Sequence, residues 1–401
     1  MDLKMFNNRA PGRLVTITGQ DAIFGAWQHQ AFVPNPLDAT EPELSPATYR
    51  AVAEARAALA ALDSTARQLP NPTLMRHSTL RREAQSTSAL EGTYAPLNAV
   101  MIADAEEPSN AKLTEIINYV HAASHAFGWV TESRPITFSL LAELHDLLMR
   151  GTPLTASAGR LRDIQVVIGR RDDAAPHSLP VHQARFVPAP PGPELEAGMD
   201  QLVAWLQQNH RATIDPVVAA AMSHYQFETL HPFPDGNGRI GRLLIVLCLV
   251  TCGVLSEPTL TVSPWFENRR RHYYDRLLAV STEGDWDSFV RFFADGLGQS
   301  AVRTRNEMLA LVKVQGELKD LVRASTLRAD SAHALVDLAV ANPSFTVRKV
   351  ETELGISYSR ANKLVGQLCD LGILRAVDPD GYKRLFYAPR VLQILTTQPP
   401  R

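Results

Sequence analysis

Residues 230–242 read LHPFPDGNGRIGR and lie between two stretches with helix-forming sequence. The preceding stretch, 216–230, has the apolar spacing of a helix, and the following one, from about 239 to 251, is almost wholly apolar. Glycine flanks the Asn in the DGNG step and allows a tight turn there. The segment therefore predicts a helix–loop–helix corner, and similar periodicity in most of the chain predicts a mainly α-helical fold.

The start of the second helix has the chemistry of an anion site. Backbone N–H groups at a helix start lack partners within the helix, and Gly236 and Gly238 let a ligand approach them closely. Arg239 and Arg242 are three residues apart and share a helix face, which favours a polyphosphate. Asp235 offers the hard oxygen that Mg²⁺ binds together with substrate phosphates.

His231 is the residue of this segment that can accept a proton near neutral pH. An anion nest, a metal ligand and a base together predict a phosphoryl-type transfer site. The chain has no GxxxxGK[ST] loop and no HRD or DFG set, which excludes a P-loop enzyme and a protein kinase.

These residues resemble, position for position, the signature HxFx[DE]GNGRxxR of the Fic family. The resemblance covers roughly residues 45–310, including a β-branched run at 163–168 and an FVPAPP segment. It implies a helical core with a small β-hairpin flap, which docks a target by adding a strand at an open edge. It also implies transfer of AMP from ATP to a Ser, Thr or Tyr hydroxyl of a target protein, or of the chain itself, with release of pyrophosphate.

The resemblance implies a role for each residue of the motif. His231 would take the hydroxyl proton, Phe233 would brace the loop, and Asp235 would hold Mg²⁺. The nucleotide-binding residues would be Gly236, Asn237 and Gly238 at the α- and β-phosphates, Arg239 supporting the phosphates, Arg242 at the γ-phosphate, and Tyr273 and Tyr274 near the adenine.

A second motif, TSALEG at residues 87–92, resembles the inhibitory [ST]xxxE[GN] helix of the family. The resemblance implies that Glu91 pairs with Arg242. The carboxylate would then occupy the cation that the γ-phosphate needs and would add negative charge where phosphate must sit. ATP could bind only in a non-productive pose. Because this helix, at about 73–92, precedes the core, the resemblance implies the N-terminally autoinhibited class.

The whole chain predicts three regions. Residues 1–110 form an N-terminal helical region, with irregular structure and a short hairpin before residue 45. Residues 111–310 form the Fic core. Residues 311–401 form a linker helix and a winged helix-turn-helix domain, in which three helices precede a two-stranded wing. The last 101 residues carry a net charge of +5 and the remainder carries −7, which supports a separate module.

Composition narrows the class of protein further. The 401 residues are 45% hydrophobic with a net charge of −2, which favours packed cores over disorder and over a strongly basic nucleic-acid binder. Three cysteines with no CxxC pair indicate a reducing compartment. No secretory signal is visible, and the apolar run at 243–255 is shorter than the roughly 20 residues of a membrane span. We expect a cytoplasmic protein without a membrane segment.

Several alternatives stay open on the sequence alone. Relatives with an intact inhibitory Glu can remove AMP, and other relatives transfer UMP, phosphocholine or phosphate. In a third alternative, from another class, the chain is a DNA-binding regulator whose core senses nucleotide. The charge of +5 is modest for DNA, so the sequence favours protein docking by the wing. No motif in the sequence identifies the target protein. The oligomeric state is also not readable from the sequence, and a homodimer stays open.

Overall fold

The structure is a computed structural model that describes residues 1–68, 76–103, 108–175, 177–327, 330–377 and 384–397. The described part is mainly α-helical with small antiparallel sheets, as predicted. None of its helices combines the length and the apolar character that a membrane-crossing helix needs.

The chain begins with a hairpin that is longer than the sequence suggested. Strands β1 (Gly12–Asp21) and β2 (Gly25–Pro34) pair antiparallel over their whole length. The N–H of Phe32 donates to the carbonyl of Val187 at 2.9 Å. The hairpin therefore lies against the flap region of the core.

The next helices surround the centre of the protein. They are α1 (Pro46–Gln68), α2 (Arg76–Leu90), α3 (Leu97–Ile102), α4 (Ala111–Thr131) and α5 (Phe138–Met149). The predicted helices at these places are confirmed, apart from α3, which was not predicted; residues 73–75 lie outside the described residues. Capping explains the starts of the last two, since Asn110 and Thr137 accept hydrogen bonds from N–H groups of the first turns of α4 and α5.

The flap is shorter than predicted. Strand β3 (Ile168–Arg170), the short helix α6 (Pro180–Gln183) and strand β4 (Ala184–Phe186) form it, and β3 pairs antiparallel with β4. The predicted strand at 163–168 is therefore wrong except at its last residue. The carbonyls of the preceding residues, 164 and 166, accept hydrogen bonds from the side chains of Arg162 and Gln165, which replace a strand ladder.

The core continues with a second set of helices: α7 (Pro193–Leu206), α8 (Pro216–Leu230), α9 (Asn237–Thr251), α10 (Ser263–Glu267), α11 (Arg270–Glu283) and α12 (Trp286–Ala324). The spacing of apolar residues predicts one helix over 264–282, and this prediction is wrong, because α10 and α11 are separate helices. Buried Glu83 of α2 accepts a hydrogen bond from the Ser263 N–H at 3.0 Å and fixes the start of α10. Such a tertiary contact leaves no trace in sequence periodicity.

The C-terminal tail follows α12. It consists of α13 (Asp330–Ala341), β5 (Phe345–Thr346), α14 (Val347–Leu354), α15 (Tyr358–Asp370), β6 (Arg375–Ala376), β7 (Leu385–Tyr387) and α16 (Pro389–Thr396). The three predicted helices and the two strands of the wing are confirmed, whereas β5 and α16 were not predicted. Strand β7 lies between β5 and β6. The predicted turn at 378–381 and residue 383 lie outside the described residues.

Helices α8 and α9 form the centre of the core. Both are buried on nearly every side, as expected of helices that are apolar all round. They pack on each other, and α1, α4, α5, α7 and α12 surround them. The loop that joins them therefore rests on a rigid base.

Candidate active site

The loop between α8 and α9 begins at His231, which has a left-handed backbone (φ 51°, ψ 60°). Few non-glycine residues adopt this conformation, so the surroundings must hold it. The side chain of Arg162 does so: its Nε donates to the carbonyl of His231 at 2.8 Å. The backbone N–H of Arg162 donates to the carbonyl of Pro232 at 2.9 Å. Nothing in the sequence motif connects Arg162 with the site.

The His231 ring is oriented for proton transfer. Its Nδ1 lies 3.2 Å from the carbonyl of Glu228, and a carbonyl can only accept, so Nδ1 carries the proton. The lone pair is then on Nε2. Burial lowers the pKa of His231 to about 4, so the ring is neutral at physiological pH. A neutral imidazole with an available Nε2 is a competent general base.

Phe233 is fully buried and braces the loop, as predicted. Its ring stacks on His145 of α5, with centroids 4.1 Å apart and planes at 6°. The Gly159 N–H donates to Nδ1 of His145 at 2.9 Å, so Nε2 is protonated and donates to the Asp235 carbonyl at 3.1 Å. His145 thus supports the loop. Its position in an apolar helix gives no sign of this role in the sequence.

The side chain of Asn237 also supports the loop. It accepts a hydrogen bond from the Phe233 N–H and donates to the Phe233 carbonyl, each at 2.8 Å. The residue before it, Gly236, has φ 76°, a left-handed conformation suited to glycine. The loop therefore closes on itself before α9 begins, and the first N–H groups of α9 have no partner within the helix.

Asp235 lies at the open side of the loop, and 55% of its side chain is exposed. One oxygen, Oδ1, accepts from the Gly236 N–H at 2.6 Å, and Oδ2 lies 3.5 Å from Nη2 of Arg239. Arg239 is itself buried and its Nη1 lies 3.5 Å from Glu115 Oε2. Two loose contacts hold this guanidinium, in a position where a phosphate could replace either carboxylate.

Arg242 is fully buried and is bound by the second motif. Its Nη2 donates to Glu91 Oε1 at 2.5 Å, its Nε donates to the Thr87 hydroxyl at 2.8 Å, and Nη2 also reaches the Thr87 carbonyl at 3.1 Å. Nη1 is buried without a hydrogen-bond partner among the described residues. The predicted pairing of Glu91 with Arg242 is present in the structure.

The Glu91 carboxylate lies beside the first turn of α9. Burial alone would raise its pKa, but the charge and hydrogen bond of Arg242 outweigh burial and the pKa is lowered. Glu91 is therefore ionised at neutral pH. A Cβ placed on Gly238 would lie 2.1 Å from Glu91 Oε1, so the carboxylate occupies the space directly over the first turn of α9.

The two tyrosines differ. Tyr273 is fully buried, and its hydroxyl lies 2.7 Å from Nε2 of His224, whose Nδ1 lies 2.9 Å from the Gly241 carbonyl. Tyr273 is therefore a core residue that supports α9. Tyr274 is partly exposed, and its hydroxyl lies 3.5 Å from the Leu90 carbonyl next to Glu91. Of the pair, Tyr274 is the one placed at the edge of the site.

A neutral base, a helix start whose first N–H groups have no partner within the helix, and two buried guanidinium groups define a site for transfer of a phosphate-bearing group. The family comparisons agree with this class. The Fic/DOC family model matches residues 135–249, and the Fic/DOC family N-terminal model matches residues 49–128. The chain therefore contains a Fic/DOC domain and the N-terminal region that accompanies it in this family.

Named relatives are similar over part of their length. Protein adenylyltransferase Fic of Drosophila yakuba is 30% identical over 211 residues, which are 52% of this chain and 37% of that protein. Protein adenylyltransferase Fic of Aedes aegypti is 40% identical over 107 residues, 26% of this chain and 20% of that protein. The chain thus spans 37% of the length of the Drosophila yakuba relative and 20% of the length of the Aedes aegypti relative.

Solved structures share the fold. A Fic family protein from Desulfovibrio desulfuricans G20 superimposes with a TM-score of 0.53 at 23% identity, covering 87% of this chain and 98% of that one. Fic-1 from C. elegans superimposes with a TM-score of 0.51 at 23% identity, covering 66% of this chain and 74% of that one.

Proposed function

We propose that this chain is a protein adenylyltransferase that transfers AMP from ATP to a hydroxyl side chain of a target protein or of itself. The observation that carries the proposal is the neutral His231, which begins the loop that leads into α9 and its two motif arginines and whose Nδ1 contact with the Glu228 carbonyl leaves the lone pair on Nε2. Similarity to relatives named protein adenylyltransferase Fic supports the choice of AMP.

In the proposed reaction the target hydroxyl attacks the α-phosphorus of ATP. His231 accepts the hydroxyl proton at Nε2 while the new O–P bond forms. The bond between the α-phosphorus and the bridging oxygen breaks, and pyrophosphate leaves. The N–H groups at the start of α9 would hold the phosphates, and Arg239 and Arg242 would balance their charge.

Asp235 is the residue proposed to hold Mg²⁺. Among the described residues, no group of three His, Cys, Asp or Glu side chains is placed to bind a metal ion alone. A largely exposed carboxylate beside a phosphate site nevertheless fits Mg²⁺, which takes one or two carboxylates and completes its shell with water and substrate phosphates. When bound, the ion would neutralise charge on the phosphates.

Glu91 is proposed to hold this activity low. Its contact with Arg242 removes the cation that the γ-phosphate would use, and its carboxylate lies over the helix start that the phosphates would approach. ATP that enters must then place its phosphates elsewhere, and its α-phosphorus is not aligned with His231.

The test is label transfer from α-³²P-ATP and γ-³²P-ATP with Mg²⁺, using wild type and Glu91→Gly. We expect label from the α-position only, with more label in Glu91→Gly. Label from the γ-position only would make the chain a phosphotransferase and would overturn the proposal. If neither label appeared in wild type or in Glu91→Gly, the proposal would also be overturned.

Removal of AMP is the second candidate, and the intact Glu91 favours it, since a carboxylate near the α-phosphate could activate water. An AMP-modified target separates the two activities. If wild type released AMP and Glu91→Gly did not, hydrolysis would be the main activity. Competition by UTP and CTP against labelled ATP would reveal a different nucleotide preference.

The regions 1–110, 111–310 and 311–401 are proposed as the inhibitory region, the catalytic core and a winged helix module. The outward face of α15 bears polar and basic side chains and has no carboxylate before Asp370: Tyr358, Ser359, Arg360, Asn362 and Lys363. This face could meet DNA phosphates, and a salt-dependent gel shift tests that alternative. We favour a protein partner there, and a cytoplasmic location because all three cysteines are free thiols.

A further inference from the structure

The inhibitory helix α2 is joined to the C-terminal tail by a buried arginine. Arg82 is 2% exposed and lies two and a half helical turns before Glu91. Its Nη2 donates to the carbonyl of Leu395 in α16, and its Nη1 lies 3.2 Å from Glu307 Oε1 in α12. The side chain thus connects three helices that are far apart in sequence.

A cation near the Leu395 carbonyl stabilises the end of α16. It lies in the last turn of α16, where carbonyl groups have no partner within the helix and where positive charge is stabilising. Burial lowers the pKa of Arg82 to about 10, which leaves it charged at neutral pH. A buried charge depends on its few partners, so loss of the α16 contact would leave Arg82 poorly compensated.

Helix α16 is coupled in turn to the rest of the tail. One residue, Ala388, separates it from β7, the central strand of the tail sheet. Just before β7, Arg384 donates to Asn362 of α15 at 3.0 Å. A movement of α15 or of the sheet therefore reaches α16 without a flexible loop between them.

The neighbouring side chains of α2 have partners in the body of the protein. Arg81 donates to carbonyls at the end of α3, including those of Val100 and Ala103, and Glu83 binds the start of α10. Those contacts tie α2 to the body of the protein. Arg82 is the anchor whose partner belongs to the C-terminal helix.

We propose that the tail is a second lock on the inhibitory helix. In this arrangement α16 holds Arg82, Arg82 holds the N-terminal half of α2, and the rigid helix keeps Glu91 on Arg242. A displacement of α16 releases α2 and lowers the fraction of molecules in which Glu91 occupies Arg242. The proposal rests on the proposed inhibition of AMP transfer by Glu91, and it adds the tail as the part of the chain through which that inhibition is regulated.

The test compares Arg82→Gln with wild type in the full chain, with α-³²P-ATP transfer as the readout. We expect at least a threefold rise in rate. The same substitution in the Glu91→Gly background should give no further rise, because the lock acts through Glu91. The matched control is Arg134→Gln, which alters an arginine in the loop after α4 whose side chain is 48% exposed. This substitution should leave the rate unchanged.

Each outcome decides one claim. If Glu91→Gly raises the rate and Arg82→Gln does not, the lock is overturned while the proposed inhibition stands. If Glu91→Gly itself has no effect, the proposed inhibition fails. A rise with Arg82→Gln that persists in the Glu91→Gly background would also overturn the lock, since the effect would bypass Glu91.

A second variant guards against misfolding of Arg82→Gln. Leu395→Ala keeps the backbone carbonyl but removes the buried side chain that seats α16. It should raise the rate in the wild-type background only, and hydrogen exchange of backbone amides in residues 83–91 should become faster. Unchanged rate together with unchanged exchange in Leu395→Ala would contradict the lock.

Discussion

The loop between α8 and α9 and helix α2 are both parts of the site, but different kinds of contact fix their positions. The loop is closed by its own neighbours: Asn237 binds both backbone groups of Phe233, and Asp235 binds the N–H of Gly236. Helix α2 makes its polar contacts with distant elements, as Thr87 and Glu91 do with Arg242. Local hydrogen bonds thus close the loop, with His145 and Arg162 supporting it from across the fold, whereas the contacts of Glu91 with Arg242 are entirely tertiary.

Loss of the general base, His231, should have the largest effect on the rate of transfer. In the Glu91→Gly background, His231→Ala should lower α-label transfer by roughly 10²–10⁴-fold, the usual contribution of a general base. The measurement is initial rate at saturating ATP. His210→Ala, which alters a partly exposed histidine away from the site, is the control. A variant that retained a tenth of the rate would show that another group takes the proton.

Loss of His145, the side chain that supports the loop, should have the second-largest effect. His145 is fully buried, stacks on Phe233 and makes two hydrogen bonds, so His145→Ala should lower the free energy of unfolding by about 2–4 kcal/mol. Urea unfolding measures this value, and transfer in the Glu91→Gly background should fall as well. Full activity with an unchanged unfolding midpoint would mean that the loop holds its conformation without His145.

The sequence predicted the loop better than its supports, for a physical reason. A helix end, two glycines and a fixed order of polar residues are local, so the positions of His231, Asp235 and Arg242 could be predicted from 230–242 alone. The pairing of Glu91 with Arg242 came from the family resemblance. His145 and Arg162 contribute through contacts across the fold, and no spacing rule connects them to the loop.

The same limit applies to the secondary structure. Long amphipathic helices such as α1 and α12 were predicted, because their periodicity is strong over many residues. The division of α10 from α11 and the shortness of β3 were not predicted. Helix α10 starts at a contact with the distant Glu83, and β3 follows a loop in which the side chain of Gln165 donates to the Val166 carbonyl; neither contact can be read from periodicity.

A matched pair of tyrosine variants sharpens the assignment of core and edge residues. Tyr273→Phe leaves Nε2 of buried His224 without its partner, which should cost about 1–3 kcal/mol of stability. Tyr274→Phe removes a hydroxyl whose contact is 3.5 Å long, so the change should stay below about 0.5 kcal/mol. Thermal and urea unfolding of both variants provide the comparison. Equal losses would argue against the different roles of the two residues.

The smallest expected effect is that of pH on the rate of transfer. Burial lowers the pKa of His231 to about 4, so the base is neutral above pH 5 and becomes protonated only as the pH falls through that value. In Glu91→Gly the rate of transfer should therefore stay within about twofold between pH 8 and 5.5, provided circular dichroism shows the fold intact. A histidine with the usual pKa of about 6.5 would instead lose most of its activity by pH 5.5. That steeper profile would contradict the proposed environment of His231.

The most direct test of the central claim is the single-turnover rate of α-label transfer at saturating ATP in wild type and Glu91→Gly. Saturation removes differences in ATP affinity, so the ratio reports how often the bound nucleotide is aligned for attack. One charge-assisted hydrogen bond, worth about 1.5–3 kcal/mol, predicts a rise of roughly 10–150-fold. Glu132→Gly, at an exposed helix end, should match wild type. Equal rates for wild type and Glu91→Gly would contradict the account, because the contact between Glu91 and Arg242 would then have no part in controlling the reaction.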